Sequence, residues 1–438
     1  MDAGLSSAEL EAKTSLFARA LAALPADARD LFAWWVPGRI EFLGKHTDYA
    51  GGRSLLCAAE RGFAVVAAAR ADGRVSVRDA SSGESAETEL SVEGAARPAE
   101  GHWSTYPFTV ARRVARNFRR PLRGVDLAFA SDLPPASGLS SSSALVVGTF
   151  LALADANDLA SRSEYAAAIR TPEDLAEYLG CIENGEAFRD LAGDRGVGTR
   201  GGSQDHTAIL CARPSRLAQY AFAPVQFERQ VPFPSDHALV VAASGVAAAK
   251  TGDAMKAYNR AAQRAAAALH AWRLGTGSRA KTLATALAEA PNAVSRLREL
   301  SVLVARFSAD SLVDRAEQLR QECEEIIPRA GDSLTAEDFA QLGALVDRSQ
   351  TNAETLLGNQ VPETIELARS ARELGAVAAS AFGAGYGGSV YALVRAGEAD
   401  AFRQRWAERY TKAFPEAAAR ATFFTTRAGP PATRLRPD

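Results

Sequence analysis

Three clusters of chemically capable residues stand far apart in this chain. Residues 37–55 read PGRIEFLGKHTDYAGGRSL and place Arg39, Glu41, Lys45, His46 and Asp48 just after the apolar run FAWWV. Such a density of polar groups at a strand end suits a small polar ligand with several hydroxyls. A hydrated turn built on Asp48, Gly51 and Gly52 reads equally well. Residues 132–144, DLPPASGLSSSSA, lead straight into an apolar run. A small-residue loop ahead of a helix offers unpaired N–H groups, the positive end of the helix dipole and several hydroxyls, which together suit a phosphate. A flexible serine linker is the weaker alternative, because linkers rarely run directly into an apolar helix. Residues 382–390, FGAGYGGSV, carry four glycines in six positions. They permit close backbone approach to a ligand, or simply a tight turn. They do not fit the strand-then-acid pattern of a dinucleotide fold.

The elements that must position these clusters are legible in outline. Residues 34–43, 55–69, 75–79 and 124–130 read as strands, and 144–156 as a helix of about three turns. Residues 6–24 read as a leading helix. Residues 173–189 read as another, with Thr171 as cap and Pro172 in its first turn. Phe108, Ala111, Val114 and Phe118 recur at helical spacing. Arg112, Arg113, Arg116, Arg119 and Arg120 are therefore expected on the solvated face of an amphipathic helix rather than on nucleic acid. Residues 195–202 (RGVGTRGG) form a loop. The proline-bearing stretch 224–234 marks the best candidate domain boundary. Strands are expected at 237–243, 391–394 and 421–426, alanine-rich helices between about 251 and 374, and a frayed tail. This irregular mixture indicates an α+β protein of two domains, 1–230 and 231–438.

Composition narrows the function classes. The chain has 438 residues, 47% hydrophobic, with 50 basic against 52 acidic residues and a net charge of −2. Nothing in that balance requires nucleic acid or an anionic membrane as partner. Cys57, Cys181, Cys211 and Cys323 are widely spaced without a CxxC, as expected of thiols in a reducing compartment. With no secretory leader pattern and no apolar span, a cytoplasmic protein is the default expectation.

The three clusters, in this order, resemble the GHMP kinases, the superfamily of galactokinase, homoserine kinase and mevalonate kinase. PGRIEFLGKHTDYAGG looks like the galactokinase signature. HWSTYPFTV (102–110), SQDH (203–206) and AYNR (257–260) resemble further galactokinase segments. Two positions depart from that pattern: Lys45 stands where galactokinases have a Glu, and Glu41 where an Asn is usual. The resemblance implies an N-terminal domain like ribosomal protein S5 domain 2 and a ferredoxin-like C-terminal domain, with the site between them.

It also implies a phosphotransferase that uses ATP and Mg2+ on a monosaccharide, at the anomeric C1 hydroxyl. Pro135, Ser137, Gly138, Leu139, Ser140, Ser141, Ser142 and Gly385 would cradle the nucleotide. Ser141 and Glu183, with Glu186 as the alternative to the latter, would hold magnesium. Asp205 would be the base, kept ionised by a nearby cation, and Arg39 would steady the transferring phosphoryl group. Glu41, Lys45, His46, Asp48 and Tyr258 would face the sugar. Lys45 hints at an acidic or strongly accepting group at the far end of the substrate, such as a uronic acid. His206 is expected to be a turn residue. Competing implications are a mevalonate-type kinase or decarboxylase on the same scaffold, and an inactive sugar and ATP sensor. Galactokinases are often monomers, and a monomer is expected here.

Overall fold

The computed structural model describes residues 7–99, 101–135, 137–247 and 252–435. The first sheet is built on two long strands, β1 (Leu31–Leu43) and β2 (Arg53–Arg70), paired antiparallel along most of their length. The short strands β3 (Arg74–Asp79) and β4 (Ser85–Glu89) and the strand β5 (Gly124–Ser131) extend it on one side. β3 and β5 are its parallel pair. At the other end of β2, β6 (Arg216–Ala221) and β7 (Gln226–Pro232) add an antiparallel ribbon.

The second sheet comprises β8 (His237–Ala243), β9 (Ala378–Phe382), β10 (Ser389–Arg395) and β11 (Thr422–Thr426). Its strand order is β11-β8-β10-β9. That is the βαββαβ arrangement of a ferredoxin-like domain, with the first crossover swollen into a long helical region. One apolar core joins the two halves: Ile40 and Val65 of the first sheet share it with Val241 and Tyr391 of the second. The Tyr391 hydroxyl also donates to the Phe42 carbonyl across 2.8 Å.

The helix Ser141–Asn157 is apolar on all sides because it is buried on all sides, against β1, β2 and β5. Its entry is a sharp reversal: Ser140 takes a left-handed backbone, φ 61°. The helix Pro172–Asn184 begins as the sequence indicates, with Thr171 Oγ1 accepting from the Asp174 N–H. It ends at Gly185, not at Arg189, because Gly185 adopts φ 94° and its N–H returns to the Cys181 carbonyl. Glu183 thus sits in the last turn.

Other expectations are corrected by long-range contacts. Arg113 is not on a wet face. It is 1% exposed, donates from Nε to Asn117 Oδ1 at 2.8 Å, and bonds the Glu186 carbonyl just past the helix that carries Glu183. The tail is not frayed through residue 435: β12 (Thr433–Leu435) pairs with β1. The four cysteines are free thiols, as expected.

Buried charge-assisted bonds such as those of Arg113 are the kind whose loss is felt. Arg113→Ala should lower the unfolding free energy by about 2–4 kcal/mol, since Asn117 and the Glu186 carbonyl lose their buried donor. Urea unfolding measures this, and a midpoint equal to wild type would show that Arg113 holds nothing.

Candidate active site

Strand alternation puts Arg39 and Glu41 on one side of β1, two residues apart, and both line a polar cavity between the halves. Register shifts in the β1–β2 pairing flank these positions, which re-aims the side chains locally. The chain then turns at Gly44, where φ is +115° and a Cβ would lie 2.7 Å from the Ser54 Cα. Only glycine fits that turn. It delivers His46 and Asp48 to the same cavity.

The opposite wall comes from the helix Gln204–Cys211. Asp205 lies in its first turn, and its two carboxylate oxygens are committed to different elements. Oδ1 accepts from Arg39 Nε at 2.7 Å, and Oδ2 accepts from Ser140 Oγ at 2.6 Å. Arg39 also donates to the Gly138 carbonyl. The structure therefore joins Arg39, Asp205 and the serine bend in one contact. Ser143 Oγ, one turn into the helix, donates to Glu183 Oε2 at 2.8 Å and lies 3.4 Å from Asp205 Oδ2. Glu183 is buried at the cavity, whereas Glu186 is exposed.

A second cavity adjoins the first and shares Arg39 and Ala384 with it. Its walls are aromatic and apolar, including Phe63, Trp103, Tyr106 and Phe129, and its floor is Pro135, Gly138 and Ser140 to Ser142. Three expected cradle residues do other work. Ser137 Oγ donates to the Pro134 carbonyl, its own carbonyl accepts from Ser389 Oγ at 2.6 Å, and Leu139 is buried in the core. Gly385 packs against Asn359 rather than the bend. The glycine that meets the bend is Gly383: at φ +82°, a Cβ there would come within 2.9 Å of the Gly138 carbonyl oxygen.

His46 donates from Nε2 to the Ala384 carbonyl and accepts at Nδ1 from the Tyr49 hydroxyl, both at 2.8 Å. Burial pushes its pKa down to about 4, so the ring is neutral at physiological pH. Tyr258 lies against it, the rings tilted by 47° with centroids 5.0 Å apart, and its phenol is held well above the ordinary range by burial. Glu41 accepts from Gln204 Nε2 at 2.6 Å, and burial raises its pKa to about 7 against the opposing pull of Lys45 and Arg39. Asp48 Oδ2 accepts the Gln204 backbone N–H at 3.2 Å. Lys45, expected to face the substrate, does not line the cavity; its Nζ donates to Ser380 Oγ at 2.7 Å. His206 is not in a turn. It is buried in the helix with Nε2 3.2 Å from Glu183 Oε2, close but without hydrogen-bond alignment.

Sequence reasoning missed the residues that hold this turn from behind. Arg315, Gln318 and Glu322 share one buried stripe along a helix that runs from Ala309–Arg320 into a π-helical stretch, Gln321–Ile326. Arg315 bonds the His46 carbonyl, Gln318 Nε2 reaches the Lys45 carbonyl at 3.3 Å, and Glu322 Oε1 accepts the Gly44 N–H at 2.8 Å. Their i, i+3, i+7 spacing is visible in the sequence. Their partners, some 270 residues away, are not.

The chain matches three families. Residues 25–75 match the galactokinase galactose-binding signature, residues 105–212 the GHMP kinases N terminal domain, and residues 332–412 the GHMP kinases C terminal domain. These segments contain, in turn, Arg39 to Asp48, the serine bend with Glu183 and Asp205, and the glycine-rich turn. The chain belongs to the GHMP kinase superfamily. Galactokinase from Chloroflexus aurantiacus is 28% identical over 382 residues, covering 84% of each chain. Galactokinase from Roseiflexus is 26% identical over 85% of this chain and 86% of its own. Galactokinase from Actinobacillus pleuropneumoniae reaches 37% identity over 120 residues, 27% of this chain and 30% of its own. Among solved structures, Lactococcus lactis galactokinase complexed with galactose superposes with TM-score 0.77 at 23% identity, covering 97% of this chain and all of its own. That last likeness is one of fold: the two-domain GHMP kinase architecture. No helix among the described residues is long and apolar enough to cross a membrane.

The site's electrostatics make a stability test. Glu41 has a folded pKa of about 7, above its ordinary 4.5. Its contribution is therefore present below 4.5 and lost as pH rises through 7. His46 runs the other way: its ordinary 6.5 falls to about 4, so its contribution is present above 6.5 and lost as pH falls through 4. In the shared window the two slopes oppose. Glu41→Gln removes one of them. The unfolding free energy of wild type minus variant should fall by ~1.4 kcal/mol per pH unit from about 4.5 to 7. Parallel urea-derived pH profiles for the two proteins would contradict this assignment.

Proposed function

We propose that this protein is an ATP-dependent sugar kinase that transfers the γ-phosphoryl group to the anomeric C1 hydroxyl of a monosaccharide. One observation carries the reading: Asp205 bonds both Arg39 and Ser140 at the junction of a polar, hydroxyl-matching cavity and an aromatic cavity floored by the serine bend. The galactokinase relatives support the sugar side, and the family supports the nucleotide side.

In this reading the triphosphate lies on the serine bend, where N–H groups at the start of the Ser141–Asn157 helix and the hydroxyls of Ser140 to Ser142 meet its oxygens. The base stacks among Trp103, Tyr106 and Phe129. The sugar occupies the polar cavity beside His46, Asp48 and Tyr258. Asp205 takes the proton from the C1 hydroxyl. The sugar oxygen then bonds to the γ-phosphorus as the bond to the β–γ bridging oxygen breaks, and ADP departs. Arg39, spanning Asp205 and the Gly138 carbonyl, neutralises charge on the transferring group.

Magnesium fits the residues present. Among the described residues no group of three or more His, Cys, Asp or Glu side chains forms a metal cluster. Glu183, Asp205 and the serine hydroxyls form an all-oxygen set instead. A hard cation that takes one or two carboxylates and completes its shell with phosphate oxygens is suited to that set. Glu183, with Ser141 or the Ser143 hydroxyl that already bonds it, would hold the ion. When bound, magnesium would neutralise phosphate charge.

ADP release with Mg-ATP across a panel of sugars tests the proposal. Turnover with phosphate appearing at C1 is expected, and Asp205→Ala should reduce it at least ~10²-fold while the variant stays folded. Wild-type turnover in that variant would remove Asp205 from the mechanism. Sugar-dependent ATP binding without ADP would instead favour a sensor.

A further inference from the structure

Glu41 leaves one oxygen unused. Its side chain is 1% exposed and lines the polar cavity, yet Oε1 has no hydrogen-bond partner. No described protein group donates to it. Gln204 already serves Oε2, and its amide is fixed because Ser54 Oγ donates to Gln204 Oε1 at 2.6 Å. Lys45, whose charge bears on Glu41, spends its ammonium on Ser380 Oγ, which in turn donates to Gln350 Oε1 at 3.0 Å. Arg39 is engaged by Asp205 and the Gly138 carbonyl. Buried polar atoms are almost always paired, and one left open beside a cavity calls for a ligand group.

The cavity's charge points the same way. Glu41, Asp48, Glu183 and Asp205 all line it, and Arg39 is the one Lys or Arg among the described residues that line it. Resting on the sugar-kinase reading above, we infer that Glu41 is a specificity-determining residue: it hydrogen-bonds a hydroxyl or amino group of the acceptor sugar, and the cavity rejects sugars bearing a carboxylate. This reverses the expectation drawn from Lys45. The lysine balances charge behind the wall rather than meeting the substrate.

Calorimetric binding to the full-length protein tests this with three probes: galactose as a neutral hexose, its 2-amino analogue and its C6 uronic acid. Galactose or the amino sugar should bind wild type at least about tenfold tighter than the uronic acid. Glu41→Leu, which fills the space without an oxygen, should weaken binding of the preferred sugar at least about tenfold while Mg-ATP affinity stays within about threefold. Equal affinity for the uronic acid in wild type, or unchanged sugar affinity in folded Glu41→Leu, overturns the inference. Should the leucine variant not fold, Glu41→Gln decides. That substitution keeps a hydrogen-bonding group and removes the carboxylate, so the ratio of preferred sugar to uronic acid should narrow; an unchanged ratio overturns the inference. Binding of Mg-ATP with no sugar bound at all would overturn the sugar-kinase reading itself.

Discussion

The ion pair between Arg39 and Asp205 is the constraint on which the rest of the site depends. Arg39 is almost fully buried, and a buried pair is a poor stabiliser unless every remaining donor and acceptor is satisfied. Here the satisfaction is distributed: Gly138 takes one guanidinium bond, and Ser140 and Ser143 approach the far carboxylate oxygen. One strand, one loop, two helix starts and, through Gly383, the second sheet must all be in place for that pair to be tolerable. The network therefore fixes geometry more than it adds stability. It ties the bend that suits phosphate to the acid that faces the polar cavity.

The same logic explains the stripe of Arg315, Gln318 and Glu322. Burying a guanidinium, an amide and a carboxylate along one helix is expensive. All three go to successive backbone groups of residues 44 to 46. That turn needs outside support, because His46 itself sits at φ 59°, where a side chain is strained. The ferredoxin-like half, through its enlarged helical crossover, thus acts as the clamp for a turn made by the other half. A π-helical stretch in the clamp, where Glu322 lies, is consistent with the habit of such bulges to occur at functional positions.

Local signals carried much of this architecture. The long apolar strands, the helix behind the serines, the Thr171 cap and the glycine-rich turn are set by short-range preferences, so each could be read from neighbouring residues. The segments that failed are those decided by distant partners. β12 exists because β1 offers it an edge, and Arg113 is buried because the end of the helix bearing Glu183 needs a donor. At the site, Arg39, Asp205, Glu183 and the serines could be named from motif resemblance, whereas Gln204, Ser143 and Gly383 could not. Their importance lies in what they touch. Gln204 illustrates it: a neutral residue next to the conspicuous acid, yet its side chain orients Glu41 and its backbone N–H meets Asp48.

The cavity also separates two kinds of polarity. Toward the serine bend stand the groups of an ion pair, suited to charge that moves during phosphoryl transfer. Toward the turn stand groups that burial drives to their neutral forms: the His46 ring and the Tyr258 phenol. Neutral groups that can both give and take hydrogen bonds match sugar hydroxyls, which do the same. Lys45 fits this division by its placement. Exposed to the cavity it would put a full charge among the neutral groups. Held on Ser380 behind the wall, it only moderates Glu41, and the boundary between the ionic end and the hydroxyl-matching end is kept.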